Sequence, residues 1–297
     1  QHREMAEQVF PVFGIQPDFD LAVMKKGQSL FDVTTGILRG MEQIFKTYLP
    51  DIVLVQGDTT TVLAASLAAF YRKVAVGHIE AGLRTGSRYS PYPEEMNRLL
   101  TTRLSNLHFA PTELSRRNLL KENIADSDIF VTGNTVIDAL FHAEKILLND
   151  HKLLKSLDER FAEIPVAKKM ILITGHRREN HGDGILNICA AIQHLAERQD
   201  IELVYPVHPN PNIHDVVARE LSGLANVHLI QPLDYLSFLY MMRRSFLVMS
   251  DSGGVQEEAP SLGKPVLVMR ESTERPEALE AGTVRLVGSD TQKIIAE

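Results

Sequence analysis

Residues 246–269 read "FLVMSDSGGVQEEAPSLGKPVLVM". An apolar run of strand length gives way to a polar junction, a short helical stretch and a second apolar run, which is the pattern of a β-α-β unit with parallel, buried strands. The junction Ser252-Gly253-Gly254 lies where strand becomes helix. Glycines there let another group approach the backbone closely, and the first NH groups of a helix form a ready anion site. Glu257 and Glu258 follow on the helix itself.

The same cycle recurs outward from this unit. Strand-like runs in the first half are "DIVLVQG" (51–57), "VAVGHIE" (74–80), "NLHFAP" (106–111) and "DIFVTG" (128–133); in the second half "KMILITG" (169–175), "IELVYPV" (201–207) and "NVHLIQP" (226–232) precede the opening unit, and "TVRLVG" (283–288) follows it. Amphipathic stretches such as "GILNICAAIQHLAERQ" (184–199) and "DYLSFLYMMRR" (234–244) separate them. Between the halves, "KILLNDHKLLKSLDERFAEIPVAKK" (145–169) carries no strand signal, which sets the expected boundary near Pro165. The expectation is an α/β protein of two Rossmann-like domains, 1–165 and 166–297. In such sheets ligands bind beyond the carboxyl ends of the strands, so the residues just after each strand are the ones to inspect.

Composition narrows the partners. A chain of 297 residues, 44% hydrophobic and 23% charged, is globular and long enough for two cores. Its formal charge of −7 offers no basic footprint for nucleic acid. Cys189 is the only cysteine, which precludes an intramolecular disulfide and suits a reducing compartment. No apolar run approaches the ~20 residues of a membrane span, so a cytoplasmic protein without a membrane partner is expected. The dinucleotide fingerprint, the phosphate-binding Walker loop and the H-E-x-x-H zinc motif are all missing from the sequence, and no cofactor or metal is expected.

Several post-strand junctions carry chemistry. Asp58 in "LVQGDTTT" precedes a helix, where a helix cap is the plain alternative. Glu80 ends "VAVGHIE" beside His78, with a salt bridge to Arg84 as its alternative; Glu94, after Pro93 in "SPYPEEMNRLL", lies in a first helical turn where acids are favoured anyway, an explanation that serves one of the pair Glu94 and Glu95. Three carboxylates on one side of a domain can work as acid and base. His176, Arg177 and Arg178 follow a strand of the second half and suit stabilisation of a diphosphate or other leaving group. His208 and Asn210 stand at another strand end, where the prolines of "VHPNPN" make a rigid turn sufficient explanation. Ser252, Gly253 and Gly254 would present NH groups and a hydroxyl to phosphate, Glu258 could accept ribose hydroxyl protons, and Arg275 in "STERPEA" adds a cation.

Taken in order, "GDTTT", "GHIEAGLRTG", "SPYPEEMNR", "TGNTVIDAL", "TGHRREN", "SDSGGVQEEAPSLGKPVLVMRESTERPEA" and "GTVRLVG" resemble the non-hydrolysing bacterial UDP-N-acetylglucosamine 2-epimerases from end to end. The resemblance implies the glycosyltransferase-B architecture, with the active site in the cleft between the two domains. It also implies interconversion of UDP-N-acetylglucosamine (UDP-GlcNAc) and UDP-N-acetylmannosamine (UDP-ManNAc) by elimination and re-addition of UDP, for surface polysaccharide synthesis. Asp58, Glu80, Glu94 and His176 match the family's catalytic residues. Phe238 falls where an aromatic packs on uracil, and Ser252, Gly253, Gly254, Glu258 and Arg275 match its phosphate and ribose contacts. A homodimer is implied as well.

Three alternatives share these features: a hydrolysing epimerase releasing N-acetylmannosamine (ManNAc) and UDP, a glycosyltransferase, and a sensor that binds the nucleotide sugar without turnover. Family members begin with a strand and a Gly-Thr-Arg-Pro-Glu loop followed by a lysine, whereas this chain starts "QHREMAEQVF" and ends "TQKIIAE". It therefore reads as an excerpt with an incomplete cleft. Expressed from Gln1 alone, it is expected to be poorly stable and inactive.

Overall fold

A computed structural model describes residues 3–25, 27–175, 180 and 182–297. The chain forms two compact units, the first ending at Thr135 and the second beginning at Val136. All ten strand-like runs are strands, each rich in β-branched and large apolar residues.

The first unit holds a parallel sheet in the order β1 (Ile52–Gln56), β2 (Ala75–Ile79), β3 (Leu107–Ala110) and β4 (Ile129–Val131). Helix α1 (Arg3–Phe13) precedes α2 (Leu30–Thr47), which starts with a capping box between Ser29 and Asp32. Helix α3 (Thr60–Tyr71) is apolar on nearly every side, and its small buried residues Ala64, Ala65, Ala68 and Ala69 let both α2 and α4 (Glu94–Leu104) approach it. Phe45, Val55, Val62 and Val76 fill the space between these helices and the sheet. After β3, α5 (Glu113–Lys121) packs on the sheet through Leu119.

The second unit opens with α6 (Thr135–Asn149) and α7 (His151–Arg160); Pro165 lies in the turn between α7 and the next strand. Both helices are tied to α10 (Tyr235–Arg244): Phe161 stacks on Tyr240, the Tyr240 hydroxyl donates to Asp158, and Arg243 pairs with Glu144. The remaining elements are β5 (Lys169–Thr174), α8 (Asp183–Ala196), β6 (Ile201–Pro206), α9 (Pro211–Leu221), β7 (Val227–Ile230), β8 (Leu247–Ser250), α11 (Val255–Ser261), β9 (Val266–Val268), α12 (Pro276–Glu280), β10 (Val284–Leu286) and α13 (Thr291–Ala296). Ile171, Ile173, Leu203 and Tyr205 of the sheet bury against Ile188 and Ile192 of α8.

The six strands pair in parallel as β10-β9-β8-β5-β6-β7. From β5 the chain winds outward through β6 and β7, then returns to β8 on the other side and winds outward again. This is the dinucleotide-binding strand order, and its reversal lies between β5 and β8, where Thr174 stands opposite Ser250. The stretch quoted first is therefore the unit that leaves the switch point.

Gly82, just beyond β2, tests how tightly these junctions pack. Its φ is +88°, and a Cβ there would stand on the carbonyl oxygen of Ser115 in α5. Gly82→Ala combines a left-handed backbone with a clash against backbone, so it should destabilise the protein by roughly 3 kcal/mol or more, read as a lowered urea midpoint.

Candidate functional site

In the first unit β1 and β2 end side by side, Gln56 opposite Ile79. Gly57 turns the chain with φ +79°, and its NH donates to the Ile79 carbonyl at 3.0 Å. Asp58 comes next and does not cap α3; Thr59 does, accepting from the Val62 NH. The Asp58 carboxylate instead takes Arg98 Nη2 at 2.6 Å and Nε at 2.9 Å, and its carbonyl takes the Asn97 side-chain amide at 2.8 Å.

Glu80 follows β2 with φ +68°, a conformation that costs a residue other than glycine about 1–3 kcal/mol and concentrates at functional sites. Its Oε1 accepts from Asn134 Nδ2 at 3.1 Å, while Oε2 lies 3.3 Å from where a Cβ of Gly57 would stand. Arg84 forks onto Glu122, at 2.7 and 3.0 Å. The salt-bridge explanation of Glu80 thereby loses its partner to another carboxylate.

The two glutamates that open α4 divide their work. Glu95 is buried and accepts from the NH groups of Thr85, at 3.1 Å, and Gly86, at 3.0 Å, and from Arg98 Nη1, at 2.9 Å. Glu94 Oε2 is buried with no hydrogen-bond partner among the described residues. A buried carboxylate oxygen left open is costly unless something else comes to it. Arg98 itself is only 3% exposed and joins Asp58 to Glu95. These contacts join Asp58 to Glu95 through Arg98 and set Glu80 against Gly57, the residue before Asp58, while Glu94 stands beside Glu95 in the first turn of α4.

Sequence reasoning passed over Arg98. The signal was present in "EEMNR", which sets an arginine three and four positions after a glutamate pair on one helix. Beneath this edge lies His78, fully buried, with Nε2 2.8 Å from the Gly57 carbonyl.

In the second unit the residues after β8 form a compact cluster. The Ser252 NH is already taken by Ser250 Oγ at 3.0 Å, so of the three NH groups expected for an anion those of Gly253 and Gly254 remain. A Cβ on Gly253 would come within 3.0 Å of Arg275 Nη1 and 3.1 Å of Glu274 Oε1. The missing side chain thus lets the ends of Arg275 and Glu274 lie close against the backbone. Arg275 is in turn held by Glu257 and Glu274, and Glu274 also takes Arg270 Nη1 at 3.1 Å.

Glu258 folds back on Gly254, its Oε2 3.3 Å from where a Cβ would stand. Burial, reinforced by the charge of Glu257, pushes its pKa from the ordinary 4.5 up to about 7. Tyr235, at the start of α10, feels the Glu258 charge and is itself pushed up to about 12, chiefly by burial. Phe238 lies three residues further along α10 and is half-buried. His208 Nδ1 accepts the Asn210 NH at 3.1 Å and Asn210 caps α9, so that junction does serve as a turn.

His176, Arg177 and Arg178 lie outside the described residues. Among the described residues, no group of three His, Cys, Asp or Glu side chains could hold a metal ion, and no helix is long and apolar enough to cross a membrane.

With this geometry in place, comparison with known proteins is specific. The family profile described as UDP-N-acetylglucosamine 2-epimerase matches residues 1–297. The UDP-N-acetylglucosamine 2-epimerase of Salmonella typhimurium is 56% identical over 298 aligned positions, which cover 100% of this chain and 79% of that protein. The crystal structure of the Neisseria meningitidis UDP-GlcNAc 2-epimerase bound to UDP-GlcNAc matches with a TM-score of 0.96 at 55% identity, covering 100% of this chain and 80% of that one. The Methanocaldococcus jannaschii UDP-GlcNAc 2-epimerase in complex with UDP-GlcNAc and UDP matches at 0.88 and 35% identity, covering 100% and 81%. The fold class read from the sequence, two Rossmann-like units of the glycosyltransferase-B kind, is the fold of these neighbours.

Glu258 generates a pH prediction. Its folded pKa is raised, so between its ordinary 4.5 and about 7 the unfolded chain releases the proton first and stability falls as pH rises, with the full penalty present above that window. Glu258→Gln removes the ionisable group. At about pH 8 it should melt a few degrees higher than the parent, and at about pH 4 the difference should vanish. Scanning calorimetry of both proteins at the two pH values reads this directly.

Proposed function

The chain belongs to the UDP-N-acetylglucosamine 2-epimerase family and is an isomerase; on that premise we propose that it interconverts UDP-GlcNAc and UDP-ManNAc without net hydrolysis. The observation that carries this reading is the trio Asp58, Glu80 and Glu94, with Asp58 fixed by Arg98 and an oxygen of Glu94 buried and open. A protein that only bound the nucleotide would have no use for it.

The C2 proton of the sugar has no neighbouring carbonyl to acidify it, so direct abstraction is prohibitive. Elimination avoids the problem. A carboxylate takes the C2 proton while the C1–O bond breaks, its electron pair leaving with UDP and the C2–H pair forming the C1=C2 bond of 2-acetamidoglucal. Re-addition returns the UDP oxygen to C1, and a second carboxyl group delivers a proton to the opposite face of C2. Asp58, Glu80 and Glu94 supply this acid and base chemistry. In the second unit Gly253, Gly254 and Arg275 take the diphosphate, Glu258 and Ser252 the ribose and phosphate hydroxyl and oxygen atoms, and Phe238 the uracil. By family resemblance, His176 stabilises charge on the departing UDP.

The product supplies UDP-ManNAc to surface polysaccharide synthesis in this reading, and the lone Cys189 suits the reducing cytoplasm.

In deuterated water the complete protein should place deuterium at C2 and accumulate UDP-ManNAc, followed by NMR. Free ManNAc as the only product would overturn the non-hydrolysing assignment. Asp58→Asn, Glu80→Gln and Glu94→Gln should each lower kcat by roughly 10²–10⁴ with UDP affinity little changed. Glu258→Ala and Arg275→Ala should weaken UDP binding by about tenfold or more in calorimetry.

A further inference from the structure

His78 sits one residue from the end of β2 and is fully buried. Its Nε2 lies 2.8 Å from the Gly57 carbonyl, so that nitrogen carries the proton and donates. Nδ1 is then the bare acceptor, and it is buried with no partner among the described residues. Burial pushes the ring's pKa down to about 4, the Gly57 bond opposing and the charges of His108 and Arg84 assisting, so the imidazole is neutral in any ordinary assay. An apolar side chain would remove that open nitrogen but would also take from the Gly57 carbonyl its donor. The position therefore carries a polar side chain whose one described hydrogen bond goes to the turn beside it.

That turn carries Asp58 and borders Glu80. Gly57 gives its NH to Ile79 and takes His78 on its carbonyl, so both faces of this residue are held by β2. Asp58 follows Gly57 directly. Glu80 leaves the end of β2 two residues after His78, in a left-handed conformation, with Oε2 against Gly57.

We propose that His78 is a positioning residue for epimerisation: its bond to the Gly57 carbonyl sets the separation of the Asp58 and Glu80 carboxylates. The inference rests on the reading of those carboxylates as the acid and base groups. Displacements of about half an ångström in such groups already impair catalysis, while nucleotide binding by the second unit is a separate property.

The test compares His78→Phe, which keeps a ring and removes the donor, with His78→Gln, which restores an NH near the Nε2 position, in the complete protein. His78→Phe should lose kcat roughly tenfold or more, with KM for UDP-GlcNAc and affinity for UDP within about twofold and a melting temperature within a few degrees of the parent's. His78→Gln should recover most of the lost kcat. Parental kcat in His78→Phe overturns the proposal, as does a parallel loss of kcat, UDP affinity and melting temperature that His78→Gln leaves uncorrected. Should His78→Phe not fold, His78→Met takes its place under the same criteria. A parent protein without epimerase activity would instead sink the functional reading. In that case a crystal structure of His78→Phe decides the geometric claim, an unchanged Asp58–Glu80 separation overturning it and a change of about half an ångström or more upholding it.

Discussion

A guanidinium buried as deeply as that of Arg98 is tolerable only if its charge is met on more than one side, and this demand organises the first unit. Asp58 meets it from the end of β1 and Glu95 from the start of α4. Glu95 in turn holds the NH groups of Thr85 and Gly86 in the loop after β2. Three segments distant in sequence are thus drawn to one point. Removing either acid would leave a buried positive charge without full compensation, typically worth 3–5 kcal/mol.

Parallel pairing supplies the stage for that charge. Every strand of both sheets runs the same way as its neighbours, so all the post-strand junctions of a sheet fall on one edge. In the second unit the reversal of winding between β5 and β8 opens that edge beside Ser250. The two units solve the problem of holding polar groups differently. The first relies on one arginine between carboxylates, the second on the alternating chain Arg270, Glu274, Arg275 and Glu257.

The strands were legible because parallel strands carry continuous apolar runs, and ten such runs stand out in the sequence, even though β1 and β4 leave Leu54, Phe130 and Val131 exposed. Asp58, Glu80 and Glu94 were legible as polar residues at strand ends and helix starts. The ion pairs around them were not. Arg98 meets Asp58 across 40 positions of sequence, and Arg84 meets Glu122 across 38, distances over which periodicity carries no information. The division of labour between Glu94 and Glu95 needed the fold as well, since only packing shows which acid is surrounded by donors. Gly253 was legible as a flexible residue at an anion site, but the side chain that presses on it belongs to a loop beyond β9.

That contact also constrains how the sequence can drift. Because the guanidinium of Arg275 and the carboxylate of Glu274 occupy the space a Gly253 side chain would need, an alanine there meets them before it meets any ligand. A side chain at 253 therefore obliges those two side-chain ends to give by a few tenths of an ångström, and because Arg275 is also paired with Glu257, the displacement is passed on to α11. The loop beyond β9 and the turn after β8 thus share one volume, so that what occupies position 253 sets where the charges of the loop can lie.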